Sequence, residues 1–384
     1  MAIPEERSLE EFRKDPIPFF KIPFLAQRKL VGQMDLVDIF LLSTTSRRGH
    51  RVVQCSMSSM KLRMNIGDSI VLYKAPEDWF LFNIRDKRQV MSKNQYHPLK
   101  LANGIETIVK KERSWCGERK FITYWPNKTD AFKLMVEYFL NIFPRSSICL
   151  AVEPTEVDKF DYFMQMDMKP RIEEVLLSYS GDNHDDFVKR VLEECRHNVK
   201  RVKIDCRTTP NFDIDYKTTL PFNFESISFA YAKWLTPDHF INLFLNCKRV
   251  ILNNANYKNA ELQPICENWI EGSDLEYLEV HGDYSPNRQT IEESVGMLPG
   301  ATPVTKVELY GVEPQDNRVL YCDDGEGYRI EQANGKAAVV CVGAHAGLFL
   351  TTKFEINLED SDSDEEDDED EEETEDEDEG EDNN

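Results

Sequence analysis

A regular pattern of apolar residues along the middle of the chain constrains its fold more than any other feature. Six apolar-x-x-apolar-x-apolar triplets occur, at Ile172, Val175 and Leu177; Val199, Val202 and Ile204; Phe224, Ile227 and Phe229; Cys247, Val250 and Leu252; Leu275, Leu278 and Val280; and Val304, Val307 and Leu309. With a weaker first copy at Ile148 and Leu150, the middle residues follow at spacings of 27, 27, 25, 23, 28 and 29. A period of roughly 20 to 30 residues is typical of a solenoid with one strand per copy.

Helical patterns lie between the predicted strands. One runs from His184 to His197, and a second begins at Thr236-Pro237, because Thr is a good N-cap and Pro is favoured at the first helical position. A third, capped by Asn259, contains Pro264, which should kink the helix or move its start. Alternating strands and helices predict the α/β class.

The triplets are similar to the leucine-rich repeat, in which each copy places one strand on a concave face. The position that carries Asn in that repeat, three residues after the last strand leucine, holds Ser180, Arg207, Ala255 and Asp283 in this sequence. The predicted solenoid is therefore irregular. The resemblance implies that outward residues between the strand apolar positions contact a target, and the candidates are Lys203, Ser228, Ile251 and Glu279.

Residues 16–56 contain more apolar side chains than a unit of that size can bury. One predicted helical face carries Leu36, Ile39, Phe40 and Ser43, and another carries Val37, Leu41 and Leu42. A helix that is apolar on all sides must be covered by something else, and about forty residues cannot cover it alone. We therefore expect this segment to dock onto a partner. Asp35 is a good N-cap for the helix.

The order of groups in this segment resembles an F-box of the large nematode families. The matching groups are Ile22-Pro23, Leu30-Val31, Met34 to Ile39, Leu41 to Ser43 and Thr45 to Arg48. The resemblance implies a small all-α F-box that binds a Skp-type adaptor and, through it, a cullin. The residues at the family's adaptor-facing positions are Ile22, Pro23, Leu30, Val31, Met34, Leu41 and Leu42. Gly49 weakens the helical pattern at the end of the segment.

A second resemblance lies within the repeats. Residues 235–280 look like the F-box-associated domain (type 2) that follows nematode F-boxes. The shared groups are Leu235-Thr236, Asn253-Asn254 after an apolar strand, Asn268 to Ser273 at a helix end, and Leu275 to Glu279. Together the two resemblances imply the substrate-recognition subunit of an SCF-type E3 ubiquitin ligase, a non-catalytic receptor with an unknown target protein.

The predicted organisation has six segments. They are a polar N-terminus (1–15), the F-box (16–56), a small sheet plus helix (57–145), the repeat-containing F-box-associated domain (146–312), C-terminal strands (313–357) and a disordered acidic tail (358–384). In the third segment, strands are predicted at Ser69–Tyr73, Trp79–Ile84 and Lys120–Trp125, and a helix at Asp130–Phe143. The fifth should contain strands at Tyr328–Gln332 and Ala337–Val342.

The acidity of the chain is confined to its tail. The net charge of −24 includes 20 acidic and no basic residues between Glu359 and Asp382, so the remainder carries only −4. Such a run repels itself and is interpreted as disordered. Acidophilic kinase sites are predicted at Ser361, Ser363 and Thr374, each with an acid three residues later. An alternative function follows, a histone-chaperone-type protein without a ligase role, whose tail binds basic proteins.

The sequence carries no signature of a catalytic or metal site. There is no P-loop, no GxGxxG after a strand, no HExxH and no GxSxG, so neither cofactor nor metal is expected. His184 lies in a polar loop that is interpreted as a cap of the next helix. Locally basic stretches at 87–93 and 110–120 could favour nucleic acid, but the body charge of −4 makes such a partner a minor alternative.

The compartment is predicted from the cysteines and the termini. Nine Cys without a CxxC pair, several of them in apolar runs (Cys149, Cys206 and Cys247), indicate core residues in a reducing compartment. The N-terminus lacks an apolar signal core, and no run is long enough to span a bilayer. We therefore expect a cytoplasmic or nuclear protein without a membrane partner.

Overall fold

The computed structural model describes residues 18–75, 78–89, 96–101, 104–113, 119–165, 171–178, 181–255, 257, 259–282, 291–304, 307–309, 320–322, 327–342 and 347–356. Over these residues the protein is a mixed α/β fold with one large sheet, so the predicted α/β class is confirmed. The segment 1–15 and the tail 358–384, with Ser361, Ser363 and Thr374, lie outside the described residues.

The helices are α1 (Phe24–Gln33), α2 (Leu36–Thr45), α3 (Arg47–Met57), α4 (Lys128–Ile142), α5 (Val157–Gln165), α6 (Asp185–Cys195), α7 (Pro237–His239, continuing as a π-helix over Phe240–Phe244) and α8 (Asn259–Glu271). Shorter helical turns lie at Phe19–Lys21, Lys87–Gln89 and Glu292–Gly296.

The first strands are β1 (Arg63–Ile66), β2 (Ser69–Ala75), β3 (Asp78–Asp86), β4 (His97–Lys100), β5 (Glu106–Arg113), β6 (Arg119–Trp125), β7 (Ser147–Val152), β8 (Ile172–Leu177), β9 (Arg201–Ile204), β10 (Ser226–Phe229), β11 (Arg249–Ala255) and β12 (Tyr277–Gly282). They are followed by β13 (Thr302–Val304), β14 (Val307–Leu309), β15 (Leu320–Cys322), β16 (Gly327–Glu331), β17 (Ala337–Val342), β18 (Leu348–Thr351) and β19 (Phe354–Ile356).

Six strands of the large sheet run parallel and in chain order. They are β7 to β12, each hydrogen-bonded to the next, and they contain the weaker first copy and the last two residues of each of the first five triplets. The apolar positions of the triplets point into the main core, where Val175, Val202, Ile227, Val250 and Leu278 are buried. The period therefore predicted the strands and their inward faces correctly.

The sixth triplet does not continue this parallel run. Val304 belongs to β13, whereas Val307 and Leu309 form β14, which pairs antiparallel with β15 and β19 in a separate three-stranded sheet. The free edge of β12 is occupied by β18, which runs antiparallel to it. The prediction that the repeated strands continue to residue 312 was therefore wrong, because β18 pairs with the edge of β12 where a parallel strand from the sixth triplet would lie.

The strands predicted in residues 57–145 continue the same sheet. β2, β3 and β6 match the predicted positions, and α4 matches the predicted helix. β1 pairs antiparallel with β2 on one side and parallel with β7 on the other, which joins these strands to the parallel run. The described sheet therefore has the order β13-β16-β17-β18-β12-β11-β10-β9-β8-β7-β1-β2-β3-β6-β5-β4.

Capping side chains define the helices at the N-terminus. The Asp35 carboxylate accepts a hydrogen bond from the Asp38 amide at 2.8 Å, as predicted for the N-cap of α2, and the Ser46 hydroxyl accepts one from the Gly49 amide at 3.0 Å. Gly49 does not end the helical pattern, since it lies in the first turn of α3. A Cβ there would lie 2.5 Å from the Leu42 carbonyl oxygen, so glycine permits the close approach of α2 and α3.

The apolar faces of α2 are covered largely by the rest of the same chain. Phe40 is fully buried, and its ring lies 5.3 Å from Phe80, 5.7 Å from Phe82, 5.8 Å from Phe121 and 5.6 Å from Phe139, measured between centroids. The expectation that these faces must be covered by a partner was therefore wrong for α2, because β3, β6 and α4 provide the cover.

Two C-terminal strands, β17 and β18, are buried on both faces. β16 and β17 match the predicted strands and pair antiparallel. Ala338 and Val340 of β17 point into the main core, whereas Val339 and Cys341 belong to a second, smaller apolar cluster on the opposite face, with Phe349 of β18.

Pro264 lies inside α8 and does not move the start of this helix, which remains at Asn259.

Candidate protein-binding surfaces

The N-terminal helical unit, residues 19–57, leaves several apolar side chains of α1 and of the turn before it exposed. Phe24, Leu25 and Leu30 of α1 retain 48%, 70% and 44% of their accessible surface. Pro23 is exposed beside them, and Ile22 is half-buried. We call these five residues the α1 edge. Phe24, Leu25 and Leu30 lie about 100–140° apart around the axis of α1, so a partner that covers all three must wrap part of the helix.

The other predicted adaptor-facing residues are less accessible. Met34, Leu41 and Leu42 are half-buried and pack partly against the main core. Val31 is fully buried in that core, where α1 packs on α3. Val31 therefore offers no surface to a partner in this conformation, and its assignment as a contact residue is corrected. An apolar residue on a helix looks the same in sequence whether it faces the core or solvent.

Two residues of the α1 edge were missed by sequence reasoning. Phe24 and Leu25 directly follow Pro23 and form the first turn of α1. The only sequence signal was the continuous apolar run Ile22 to Leu25, which is broken by no polar residue. The neighbouring Phe20 is held by α3, since the Arg48 guanidinium donates to the Phe20 carbonyl at 2.9 Å and lies 5.2 Å from the centre of its ring.

Polar contacts fix the helical unit on the β2–β3 strands. The Lys74 ammonium donates to the Met34 carbonyl at 3.0 Å, at the C-terminal end of α1. The Asp78 carboxylate accepts from the Leu36 amide at 3.2 Å, at the start of α2, and lies 3.5 Å from Lys74. Cations at helix C-termini and carboxylates at N-termini are both favourable. The α1 edge therefore has a set orientation relative to the sheet.

The face of the sheet opposite the main core, called the outer face, contains the four predicted target residues. Lys203 pairs with Ser228, Ser228 with Ile251, and Ile251 with Glu279 across β9 to β12. Residues paired across adjacent strands point to the same side of a sheet. The four side chains thus form one row, as the triplet pattern predicted.

Only part of that row is accessible. Lys203 is exposed and forms an ion pair with Asp205 at 3.0 Å, and Ser228 is half-buried. Ile251 packs against the second apolar cluster, and Glu279 retains only 13% of its side-chain surface. For Ile251 and Glu279 the assignment as free contact residues is corrected, because the C-terminal strands cover that end of the row.

Glu279 is held by two hydrogen-bond donors. The Tyr277 hydroxyl lies 2.9 Å from one carboxylate oxygen, and His281 Nε2 lies 2.6 Å from the other. Burial alone would raise the pKa of Glu279, but the bonds from His281 and Tyr277 outweigh it and leave the pKa below its ordinary value. The carboxylate therefore acts as a buried anchor that joins Tyr277 and His281 along the outer face of β12.

This anchor gives a pH-dependent prediction. Since the pKa of Glu279 is lowered by folding, its stabilising contribution is present above the ordinary value of 4.5 and is lost as the pH falls through the folded-state value. We expect Glu279→Gln to lower the free energy of unfolding by about 1–2 kcal/mol at neutral pH, as measured by urea denaturation. The deficit should shrink toward zero in acid.

Glu225→Gln provides the matched control for that experiment. Glu225 is half-exposed and lies 3.8 Å from Lys200, a surface ion pair that contributes little. The control should match the wild type at both pH values. A deficit for Glu279→Gln that is the same in acid and at neutral pH would contradict the anchoring role.

A second charged group lies on the outer face nearer the N-terminal strands. Glu174 accepts a hydrogen bond from the Arg63 guanidinium at 2.8 Å and lies 3.7 Å from Arg201 Nε. Cys149 lies beside it, and burial raises the pKa of this thiol to about 11. A thiol of that kind stays protonated near neutral pH and is a poor nucleophile. The group therefore combines charged side chains with a protonated thiol.

The remaining chemistry-bearing residues within the described ranges form no recognisable site. Cys206 and Cys247 are buried, as predicted, and burial raises the pKa of each thiol to about 12. Among the described residues, no cluster of three His, Cys, Asp or Glu side chains could hold a metal ion. His184 stands at the N-cap position of α6, in the loop that was predicted to cap this helix, and its side chain makes no capping hydrogen bond.

Neither a family nor a fold relative identifies the chain. No family model matches it, and no solved structure matches it. An uncharacterized protein of Caenorhabditis elegans is 20% identical over 337 residues, which are 85% of this chain and 72% of that protein. The match thus extends across most of the chain. In the described part of the chain, the helices are too short or too polar to cross a membrane.

Proposed function

We propose that the protein is the substrate-recognition subunit of an SCF-type E3 ubiquitin ligase. In this proposal residues 16–56 are an F-box that binds a Skp-type adaptor and, through it, a cullin. Strands β7 to β12 and their helices are an irregular leucine-rich-repeat-like solenoid of the F-box-associated kind, which binds a target. The observation that carries the proposal is the exposed α1 edge on a helical unit that is otherwise packed onto the sheet.

The α1 edge supports adaptor binding on energetic grounds. Phe24, Leu25 and Leu30 remain exposed although neighbouring Val31 is fully buried, so the chain leaves these three apolar side chains accessible to a partner. Burying apolar surface yields roughly 25 cal/mol per Å². A few such anchors can dominate the affinity of an interface. Three of the residues named from the F-box resemblance, Ile22, Pro23 and Leu30, belong to this edge.

The sheet supports a receptor role without catalysis. Parallel strands in chain order give a long outer face, and Lys203 and Ser228 are accessible on it. A receptor of this type performs no bond chemistry and instead raises the effective concentration of a target near the conjugating enzyme. The nematode source of the relative is consistent with the nematode form of the F-box resemblance.

Adaptor binding is tested by charge insertion at the α1 edge. We expect the Leu25→Asp, Leu30→Asp double variant to lose binding to purified Skp-type adaptors by at least about tenfold, because two anchors would become charged. Pull-down of full-length protein followed by detection of adaptor and cullin measures the effect. Both side chains are exposed, so the variant should fold normally.

Leu220→Asp is the matched control for surface charge. Leu220 retains 67% of its accessible surface, close to the 70% of Leu25, but lies in the segment between β9 and β10. It should bind the adaptor as the wild type does. If wild type and double variant bind equally, or neither binds any adaptor, the ligase role is wrong.

A further inference from the structure

Charge is distributed unevenly along the chain. Residues 16–145 contain 22 Lys and Arg against 11 Asp and Glu, a net of +11, whereas residues 146–357 contain 21 against 34, a net of −13. The tail that follows adds 20 acidic residues and no basic one. The field of the basic residues attracts an acidic segment, and the field of the acidic residues repels it. The tail thus begins beside the half that repels it.

The basic half contains a cleft with a volume of about 720 Å³ on the outer face of β3, β5 and β6. Four cations line it: Arg85 on β3, Arg88 in the turn that follows, Lys110 on β5, and Lys128 at the start of α4. Three carboxylates also line the cleft, those of Asp68, Asp86 and Glu112, which leaves the lining with a net charge of +1. The cleft therefore favours an anionic ligand.

Two of the cations already have acidic partners. Lys110 lies 2.6 Å from Glu112, and Arg88 lies 2.6 Å from Asp86. Arg85 and Lys128 are both exposed, and among the described residues neither forms a direct ion pair. These two side chains supply positive charge outside a direct ion pair, and the Arg85 guanidinium also helps to lower the pKa of Glu112.

The phenols of the cleft add hydrogen-bond donors. Tyr96 and Tyr124 lie edge to face with their ring centroids 5.1 Å apart. Burial and the bond to Tyr96 raise the pKa of Tyr124, so its hydroxyl keeps its proton. A carboxylate entering the cleft would meet guanidinium, ammonium and phenol donors together.

We propose that the acidic tail, residues 359–382, docks in this cleft of its own chain. Arg pairs with carboxylates through two parallel hydrogen bonds, and the tail supplies runs of adjacent carboxylates. From Ile356 to Asp382 the chain can extend up to about 90 Å at roughly 3.5 Å per residue, and self-repulsion favours extension. The tail is repelled by the acidic half of the chain and attracted by the basic half, and both forces favour docking in the cleft.

The docked tail covers one end of the outer face. Asn83, which lines the cleft, pairs with Ser69, and the pairing continues through Val71 and Asn65 to Cys149 on the same side. Helix α2 packs on the opposite side through Phe40. Tail docking therefore competes with ligands of the outer face and leaves the α1 edge free. The test of tail docking is thus independent of the test of adaptor binding.

Zero-length carbodiimide cross-linking of the full chain, read by mass spectrometry, tests the proposal. At about 50 mM NaCl we expect tail carboxylates to link to Lys128, and the yield to fall about fivefold at about 500 mM, since surface attraction is screened. Arg85→Glu should lower the Lys128 link by about fivefold. Lys217→Glu, an exposed lysine in the acidic half, is the matched control and should change nothing.

Three results would overturn the docking. Cross-links spread evenly over exposed lysines would show that the tail has no preferred docking site. An unchanged Lys128 link in Arg85→Glu, with a circular dichroism spectrum equal to that of the wild type, would show that the cleft is not the site. Tight binding of a fluorescent oligouridylate, equal in the wild type and in a chain whose tail acids are replaced by amides, would assign the cleft to nucleic acid.

Discussion

Replacing Phe40 by Ala should lower the free energy of unfolding by about 3–5 kcal/mol, the range for large-to-small changes at fully buried aromatic sites. The ring of Phe40 contacts β3, β6 and α4 at once through Phe80, Phe121 and Phe139. Removing it leaves a cavity where the helical unit meets the sheet. The loss is a large part of the 5–15 kcal/mol that typically stabilises a domain.

Urea denaturation followed by circular dichroism measures this loss. Phe24→Ala is the matched control, because Phe24 carries the same side chain on α1 but is 48% exposed. It should change the free energy of unfolding by less than about 0.5 kcal/mol. Equal effects of the two substitutions would contradict the placement of Phe40 at the centre of the core.

Replacing Gly49 by Ala should cost about 1–3 kcal/mol, as expected for overpacking a close contact. The added Cβ would lie 2.5 Å from the Leu42 carbonyl oxygen and 2.8 Å from Thr45 Oγ1. The first of these is a backbone atom and cannot rotate away, so α2 and α3 would have to separate. The effect opposes the ordinary gain from replacing a helical glycine by alanine.

Gly32→Ala shows that ordinary gain and serves as the control. Gly32 lies inside α1, and a Cβ there would meet no atom within 4 Å. Its substitution should stabilise the protein by about 0.5–1 kcal/mol in the same urea series. If both alanine variants stabilise the protein, the close packing of α2 on α3 is wrong.

Local patterns in the sequence predicted individual elements well. β2, β6 and β17 were found from their alternating or continuous apolar residues, and Asp35 was recognised as a cap because its hydrogen bond is made within one turn. The parallel run β7 to β12 followed from the period of the triplets. In each case the determining interactions join residues that are close in the chain or repeat at a fixed spacing.

Long-range pairing could not be predicted in the same way. Nothing near Val307 indicates that β18 pairs with β12 and that β14 joins another sheet. For the α1 edge, Val31 and Leu25 are both apolar helical residues, and only tertiary packing makes one buried and the other exposed. The basic cleft proposed to hold the tail was missed because only the net charge of the chain without its tail was considered. In that sum the basic residues of 16–145 and the acidic residues of 146–357 nearly cancel.

The attachment of the helical unit limits how the protein can be dissected. Lys74 and Asp78 bind the ends of α1 and α2, and Phe40 fills the centre of the core that the sheet shares with α4. A truncation that removes residues 1–57 would uncover Phe80, Phe82 and Phe139 and yield an aggregating fragment rather than an independent domain. A different N-terminal unit grafted onto this sheet would have to supply an apolar side chain to the space that Phe40 fills.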